Sequence, residues 1–285
     1  MPINSTKFLH RRRGRQRRTG ARPAQARTVI ALLAAVLAAT VLTSPCGAQA
    51  VEPREAIADA KAYFTAPLRW DSRDWLAFGG ALAAIGVARG FDDDVRTHFV
   101  GDDPDALNGD DPNSSQDALP AAVLVAGTWL LAGALDDPGG WRELGSMLEA
   151  SAFTLVTGEV MKFSFGRVRP NETADPDQWF KGGDSFPSLH SGLAFAIGTV
   201  FAESGGERYR WLRRIVGYGV GGATAYARVE HNAHWTSDVV AGAALGWTTA
   251  QFTMHRREGI VATSSAMIMP MDGGGLMLTF AMPLH

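Results

Sequence analysis

Long apolar stretches rich in alanine and glycine are the feature of this sequence that most restricts its fold. The clearest is Leu119–Leu135, a run of 17 residues without a charged side chain, and Trp75–Val87 is similar over 13 residues. Stretches of this length and composition predict helices. Further helices are predicted over Ala56–Phe64, Trp141 to about Lys162, Ser188–Ala202, Tyr209–Arg228 and Thr236–His255. The sequence therefore predicts an all-α helical bundle, and its 46% hydrophobic content suffices for a sizeable core.

The first 50 residues have the layout of a secretory signal peptide. Residues 1–28 hold Lys7, eight arginines and no acidic residue, an apolar run follows at Val29–Leu42, and Ala48-Gln49-Ala50 supplies a cleavage site. Because the apolar run is shorter than the ~20 residues that span a bilayer, we favour a cleaved signal over an uncleaved anchor. The same order argues against a basic arm for nucleic acid. The remaining chain has no cysteine, which suits an oxidising compartment, and we expect secretion across the inner membrane.

Beyond the signal, the sequence divides into three parts. Residues 51–118 are predicted to form amino-terminal helices and an acidic loop, residues 119–257 the main helical core, and residues 258–285 a tail. In the tail, Asp272-Gly273 lies between two apolar segments and predicts a β-hairpin. A single hairpin is marginally stable by itself, so this one must pack on another element.

The acidic loop, Gly101–Asp117, is rich in Asp, Asn, Pro and Ser. Asp103-Pro104-Asp105 is similar to the start of a calcium-binding loop. However, Leu107 and Asn108 stand where such a loop needs an Asp or Asn and then a glycine. We therefore interpret this segment as a solvated loop and predict no metal site.

Three cations lie among the apolar helices, and two of them form the first of three polar groups. Lys162 is followed seven residues later by Arg169 and then by Pro170. A cation in apolar surroundings needs a counter-charge. Arginine presents paired donors that suit phosphate oxygens, and lysine presents a point charge. The alternative is an ordinary salt bridge to Glu159 or Asp184.

The second group, Pro187-Ser188-Leu189-His190, opens a predicted helix. Asp184 or Ser185 is expected to cap that helix, and proline is favoured in its first turn. Amides at a helix amino terminus bind anions, and His190 lies in the same turn, where it can donate a proton to a leaving group. Alternatively, Ser188 only caps the helix and His190 only packs.

The third group contains Arg228, His234 and Asp238. His234 and Asp238 are four residues apart and share one face of a helix. A carboxylate at one imidazole nitrogen fixes the tautomer and leaves the other nitrogen free to attack. Arg228 precedes His234 by six residues and can approach the same point across a turn. The alternative is an ion pair on a helix surface.

Together the three groups resemble the signature motifs of the type 2 phosphatidic acid phosphatase superfamily, which includes bacterial class A acid phosphatases and vanadium haloperoxidases. The patterns are K-x6-R-P, P-S-G-H and S-R-x5-H-x3-D. Order and spacings match in this chain, and the resemblance covers about residues 119–252. It implies that residues 119–257 form a catalytic helical bundle of this superfamily's kind.

The resemblance also implies a metal-independent phosphatase that acts through a phosphohistidine and needs no cofactor. His234 is then the nucleophile, Asp238 orients it, and His190 serves as proton donor. The implied phosphate-binding residues are Lys162, Arg169, Ser188 and Arg228. The substrate is a phosphorylated lipid or a small phosphomonoester. Two alternatives stay open, a phosphotransferase of the same superfamily and a vanadate-dependent haloperoxidase, although the chain without its signal is short for the latter.

Two positions depart from the motifs. Leu189 replaces the motif glycine and is expected to crowd the pocket, and Ala227 replaces the motif serine and removes a hydroxyl that would support the phosphate. Both departures bear on the identity of the substrate. Outside the motifs, we interpret His231 as a residue at the pocket edge without a catalytic role, and Arg167 as a possible addition to the cationic site.

The apolar stretches also bear on location. They are short for membrane spans, yet several of them in one chain suit a membrane-associated lipid phosphatase. We favour a membrane-associated protein whose site faces the periplasm over a soluble periplasmic phosphatase. The sequence does not reveal the oligomeric state.

Overall fold

The computed structural model describes residues 53–101, 103–109, 114–135, 137–263, 266–271 and 275–280, so the predicted signal peptide lies outside the described residues. The helices are α1 (Pro53–Thr65), α2 (Ser72–Arg89), α3 (Asp92–Val100), α4 (Ser114–Asp117), α5 (Leu119–Leu135), α6 (Pro138–Phe165), α7 (Leu189–Glu203), α8 (Arg210–Glu230) and α9 (Thr236–Thr263). Short 3-10 turns occupy Ala66–Arg69, Pro104–Leu107 and Glu207–Tyr209. The predicted helices are confirmed, and α3 is a helix that the sequence analysis did not anticipate.

The core lies where α7 packs against α6, α8 and α9. Met147, Ala150, Val200 and Ala250 are fully buried in this cluster. Small side chains let the helix axes approach closely, so that helices with many alanines still exclude water from their shared interior.

Glycine allows the closest of these helix contacts. Gly217 of α8 lies against Gly198 of α7, and a Cβ added at either position would come 2.2 Å from a backbone oxygen of the other. Gly221, one turn further along α8, lies against the ring of Phe195. The four-residue spacing of Gly217 and Gly221 therefore marks the α8 surface that packs on α7.

Caps fix both ends of α6. Asp137 accepts hydrogen bonds from the amides of Gly139 and Gly140 at its start, with Pro138 in the first turn. At its end Gly166 adopts the left-handed conformation with φ of 52°, which glycine tolerates without steric cost. Because the chain turns at this glycine, the loop that begins with Arg167 folds back over the end of the bundle.

Ion pairs join the helices at the opposite end of the bundle. Arg213 of α8 pairs with Glu143 at 2.6 Å, and Arg257 of α9 pairs with Glu149 at 2.7 Å. Glu143 and Lys162 lie 19 residues apart on α6, which corresponds to about 28 Å along the helix. The molecule therefore has two polar ends, separated by an apolar length of bundle.

The tail contains β1 (Ala266–Met271) and β2 (Gly275–Phe280), which pair antiparallel with Ala266 opposite Phe280. The predicted Asp272-Gly273 turn lies outside the described residues. The hairpin as a whole, and the element it packs on, therefore stay predictions.

Candidate active site

The three predicted polar groups converge at the end of the bundle where α6 and α8 finish and α7 and α9 begin. Lys162 lies in the last turn of α6, and the loop from Gly166 to Pro187 carries Arg169. The Ser188 amide donates to the Asp238 carbonyl oxygen at 2.9 Å, which joins the second group to the third through the backbone. Residues as far apart as 162 and 238 thus belong to one cluster.

A tight turn between α8 and α9 holds His234. The carbonyl oxygen of Arg228 accepts from the amides of both Ala233 and His234 at 3.1 Å. Asn232 permits the turn by adopting a φ of 54°. His234 is buried, and its Nδ1 lies 3.7 Å from Asp238 Oδ2. The two side chains approach each other as expected, but not on one helix face, because His234 lies in the turn before α9; their distance is slightly too long for a hydrogen bond.

The carboxylate of Asp238 is completely buried and held from several sides. Arg167 Nη1 donates to Oδ1 at 2.5 Å, Ser185 Oγ donates to Oδ2, and the Trp235 amide donates to Oδ2 at 3.1 Å. Sequence reasoning missed Ser185 and placed Arg167 in a different role. Neither residue belongs to the three motifs, although Arg167 lies two residues before Arg169.

The cap predicted for α7 is wrong. The helix begins at Leu189 with Ser188 as its N-cap residue, and the Ser188 side chain makes no capping hydrogen bond. Instead Ser185 bonds to Asp238, and Asp184 pairs with Arg169. His190 is half-buried in the first turn, where the sequence placed it. The residues expected to stabilise the helix therefore organise the polar site.

Two cations of the first group meet at Asp184. Lys162 Nζ donates to its carbonyl oxygen, and Arg169 binds its carboxylate through Nε at 2.8 Å and Nη2 at 3.0 Å. The salt bridge considered as the alternative for Arg169 thus exists. It is consistent with phosphate binding, since a bidentate carboxylate occupies donors that also suit phosphate oxygens.

Arg228 has a carboxylate partner too. Its Nη1 donates to Asp117 Oδ2 at 2.7 Å, and His231 Nδ1 lies 3.1 Å from the same oxygen. Asp117 is buried, so the interpretation of Gly101–Asp117 as a purely solvated loop is wrong at this residue. A cation buried on α8 requires a counter-charge, and the end of the acidic segment supplies it. His231 is partly exposed at the edge of the site, as predicted.

The ionisation of the site follows from burial and its cations. Burial lowers the pKa of His234 well below its ordinary value, and the positive charges of Arg169, Lys162 and Arg228 act in the same direction. Burial by itself raises the pKa of Asp184. The hydrogen bonds and charge of Arg169, with Lys162 beside it, outweigh burial and hold that pKa well below its ordinary value. At neutral pH the site therefore contains a neutral imidazole among fixed charges.

The expectation that Leu189 crowds the pocket is wrong. Its side chain lies over Gly158 of α6. A Cβ added at Gly158 would come 2.3 Å from Leu189 Cδ2 and 3.6 Å from Leu245 Cδ2. The leucine thus fills a space between helices that a glycine at position 189 would leave empty. Ala227, the second departure, is half-buried, and its carbonyl oxygen accepts from the amide of His231.

This packing predicts the outcome of exchanging volume between the two positions. We expect Gly158→Ala to lower the melting temperature, because the new methyl group overlaps Leu189, at a cost of about 1–3 kcal/mol. Adding Leu189→Gly removes the overlap and should restore part of that loss. Thermal unfolding of the two single variants and the double variant measures it. Additive losses in the double variant would contradict the contact.

Chemically, the cluster combines a buried imidazole, a buried carboxylate 3.7 Å away and several cations. Such a set can bind an anion and attack it. Among the residues that the structure describes, no group of three or more His, Cys, Asp or Glu side chains is placed to hold a metal ion. The donors at this end of the bundle suit phosphate oxygens.

Comparison with known proteins finds similarity to one family of phosphatases. The sequence model of the PAP2 superfamily matches residues 143–260. A lipid A 1-phosphatase from Porphyromonas gingivalis is 39% identical over 109 residues, which are 37% of this chain and 22% of that protein. The chain thus matches about a fifth of this relative's length.

Two solved structures are also similar at 19% identity. LpxE from Aquifex aeolicus has a TM-score of 0.37 over 53% of this chain and 90% of its own. A transmembrane PAP2 type phosphatidylglycerolphosphate phosphatase from Bacillus subtilis has a TM-score of 0.38, over 84% of this chain and 96% of its own. The segment that matches the PAP2 superfamily, residues 143–260, carries all three polar groups of the site.

Proposed function

We propose that this chain is a phosphatase that hydrolyses a phosphate ester or diphosphate, of a lipid, through a phosphohistidine and without a metal ion. The observation that carries the proposal is the convergence of Lys162, Arg169 and Arg228 around the buried pair His234 and Asp238. A neutral imidazole among cations is suited to attack an anionic phosphorus centre, because the cations neutralise the charge that the nucleophile must approach.

The proposed reaction has two steps. In the first, Nε2 of His234 attacks phosphorus, the bond from phosphorus to the leaving oxygen breaks, and His190 donates the proton that this oxygen takes up. In the second, His190 removes a proton from water, which attacks the phosphohistidine and releases phosphate. Asp238 holds the imidazole in one tautomer and stabilises its positive charge. Lys162, Arg169, Ser188 and Arg228 bind the phosphate oxygens.

A lipid substrate is supported by the surroundings of the cations. Phe163 and Phe180 are 70% and 74% exposed, and the Phe180 amide bonds to the carbonyl oxygen of Phe165, whose ring is also exposed. All three aromatic residues belong to the segments that carry Lys162 and Asp184. Exposed aromatic rings beside a cationic site fit a substrate with an apolar body and an anionic head.

Membrane association is supported by the exposed apolar surface of the bundle. Ser115–Leu135, which comprises most of α4 and all of α5, is the one helical segment in the described part of the chain that is long and apolar enough to cross a membrane. Its mean hydropathy is 1.9, and most of it is exposed. Large apolar side chains are also exposed on neighbouring elements, including Trp75, Leu76 and Leu82 of α2 and Trp211 and Ile215 of α8. We propose Ser115–Leu135 as a membrane span. Release of the protein by alkaline carbonate would contradict it.

The two polar ends of the bundle support a periplasmic site. The end opposite the site is rich in arginine: Arg208, Arg210, Arg213, Arg214, Arg256 and Arg257. The segments at the site end are acidic: Asp93, Asp94, Asp103, Asp105, Glu172 and Asp175. Because cytoplasmic segments of membrane proteins carry an excess of Lys and Arg, this asymmetry favours an arginine-rich end in the cytoplasm and an active site in the periplasm.

Phosphate release by the purified full chain in the presence of EDTA tests the proposed function. The substrates are p-nitrophenyl phosphate, phosphatidate, a polyprenyl diphosphate and a lipid A 1-phosphate. We expect release from at least one lipid, unaffected by EDTA and inhibited by vanadate, since vanadate resembles phosphate in its transition state. Loss of activity in EDTA would contradict the metal-independent mechanism. If no substrate releases phosphate, transfer of phosphate to an alcohol would support the phosphotransferase. Halide oxidation in the presence of added vanadate would support the haloperoxidase.

A second prediction concerns alkaline pH. Burial lowers the pKa of Lys162 from 10.5 to about 8, so its positive charge is present below that pH and lost above it. We therefore expect KM to rise as pH increases through about 8. Lys162→Arg should shift this rise to higher pH, because a guanidinium stays protonated. KM measured from pH 6 to 10 for both proteins checks this, and an unchanged profile in the variant would assign the rise to another group.

A further inference from the structure

Arg167 is a fully buried arginine that binds two carboxylates at once. Its Nη1 donates to Asp238 Oδ1 at 2.5 Å, and its Nη2 donates to Asp92 Oδ2 at 2.6 Å. The side chains of all three residues have no exposed surface. The guanidinium therefore connects the orienting carboxylate of the active site to a second carboxylate on α3.

Every donor of this guanidinium is occupied. Nη1 also donates to Ser237 Oγ at 2.8 Å, while Nε and Nη2 donate to the carbonyl oxygen of Pro176 at 3.2 and 2.9 Å. The guanidinium lies 4.4 Å from the ring centre of Trp179 and 5.2 Å from that of Trp235. With five N–H groups engaged and indole rings beside it, Arg167 has no donor left for a substrate phosphate. The interpretation of Arg167 as an addition to the phosphate-binding cations is therefore wrong.

Asp92 is as firmly held as Arg167. It lies in the first turn of α3, where its Oδ1 accepts from the Ser237 amide at 2.8 Å and its Oδ2 accepts from Ser237 Oγ at 2.7 Å. Ser237 precedes Asp238, so Asp92 fixes both the guanidinium and the backbone at the start of α9. Asp92 also lies outside residues 143–260, the segment that matches the superfamily.

We propose that Arg167 and Asp92 are positioning residues of the active site, which together set the direction and the charge of Asp238 toward His234. This proposal rests on the proposed function, in which Asp238 orients the nucleophile. It assigns part of the active site to α3, in the amino-terminal region that the family match does not include.

The charge balance explains why two carboxylates share one guanidinium. Arg167 alone with Asp238 would form a neutral pair and leave little negative potential at His234. With Asp92 included, the buried group carries one net negative charge, which favours the positive charge that His234 acquires on phosphorylation. The other charged or polar groups that face Asp238 are Lys162, Ser185 and His234 itself. Asp92 is also approached by the partly exposed Arg89, whose Nη1 lies 3.8 Å from Asp92 Oδ2.

Removing each charge in turn tests this balance. Arg167→Gln leaves Asp238 without the cation that pairs with it, while Asp92 keeps only the longer contact to Arg89, so Asp238 takes up a proton at higher pH. We expect kcat to fall about 10–100-fold, as when a group that orients a functional side chain is lost. The acid limb of the pH profile should move to higher pH. Asp92→Asn alone should lower kcat by a few-fold, about 2–10-fold, with KM unchanged.

The double variant Arg167→Gln/Asp92→Asn distinguishes charge balance from packing. Removing the second carboxylate lowers the pKa of Asp238 again, so the double variant should be at least about threefold more active than Arg167→Gln, with its acid limb moved back. A double variant as inactive as Arg167→Gln, with the same acid limb, would overturn the proposal. If Arg167→Gln does not fold, Arg167→Lys tests the geometry instead, because an ammonium keeps the positive charge but does not reproduce the planar fork. Its kcat should fall while the acid limb stays in place, and an unchanged kcat would overturn the proposal.

Two further measurements separate this proposal from the proposed function. Arg214→Gln removes an exposed ion pair with Glu203 at the opposite end of the bundle and should leave kcat and the pH profile unchanged. The pKa of His234, followed by NMR of its imidazole, should fall in Asp92→Asn and rise in Arg167→Gln. A shift of this pKa in a chain that releases no phosphate would support the positioning network and contradict the phosphatase. Phosphate release by the wild type, with the pKa of His234 unmoved in both variants, would support the phosphatase and contradict the positioning network.

Discussion

Replacement of His234 by alanine is expected to abolish phosphate release while the chain stays folded. His234 is the nucleophile in the proposed reaction, and no other side chain of the third group can take its place: Arg228 is held by Asp117, and Asp238 is enclosed by Arg167 and Ser185. Removing a covalent nucleophile forces water to attack phosphorus directly. We expect a loss of at least about 10⁴-fold in kcat, comparable to the loss of a nucleophile in other hydrolases.

A matched control makes the His234→Ala result interpretable. His255 is exposed on α9, where its ring bonds to the carbonyl oxygen of Gln251 one turn earlier, so His255→Ala should retain full activity. Both variants should unfold at temperatures near that of the wild type, because the neutral imidazole of His234 makes no hydrogen bond to Asp238, which is 3.7 Å away. Wild-type turnover by His234→Ala would eliminate the phosphohistidine mechanism. Incorporation of labelled phosphate into the wild type but not into this variant would locate the intermediate.

The helices could be predicted from the sequence because each is a local property of the chain. Apolar stretches with polar interruptions gave the positions of α5 and α7 to within a residue. The helix α3 was missed because its first turn, Asp92-Asp93-Asp94, looks like a solvated acidic segment. In the fold Asp92 is buried against Arg167, and this partner lies 75 residues away in the chain. Tertiary contact, and not local preference, fixes that end of the helix.

The candidate site also contains residues that could be predicted from the sequence and residues that could not. The motif residues could be recognised because fixed spacing within each motif reflects a local turn or helix face. Their partners could not, since Asp117 lies 111 residues from Arg228 and Ser185 lies 53 residues from Asp238. Spacing carries no information on such pairs. Arg167 is the one partner whose sequence position was informative, because it lies two residues before Arg169 in the same loop. Only the fold shows that its side chain binds Asp238 and does not join the phosphate-binding residues.

The carboxylates beside the cations have a consequence for binding. Asp184 occupies the paired donors of Arg169, and Asp117 occupies a donor of Arg228. A phosphate that binds these cations must share or exchange donors with both carboxylates, which lowers affinity for weakly charged anions and favours a dianionic phosphate. The same carboxylates reduce the repulsion among the three cations in the absence of substrate.

His190→Asn is expected to separate the two steps of the reaction according to the leaving group. A lipid alcohol is a poor leaving group and needs the proton that His190 donates, so the variant should lose about 10²–10⁴-fold in kcat on a lipid phosphate. A nitrophenol leaves as its anion and needs no such proton. With p-nitrophenyl phosphate the first step should therefore persist, while the second step, in which His190 activates water, becomes slow.

The expected signature is a burst of nitrophenol equal to the enzyme concentration, followed by slow turnover and an acid-labile, alkali-stable phosphoenzyme. The two substrates can be compared directly because the substitution should leave the rest of the site in place. His190 lies in the first turn of α7, two residues after Ser188, and the Ser188 amide donates to the Asp238 carbonyl oxygen. An asparagine side chain can therefore occupy this turn without displacing the third group. Equal losses on both substrates, without a burst, would mean that His190 contributes to binding or folding and that another group transfers the proton. A burst with the variant on p-nitrophenyl phosphate, absent on the lipid, would assign both proton transfers to His190, because a group that only binds phosphate slows both substrates alike.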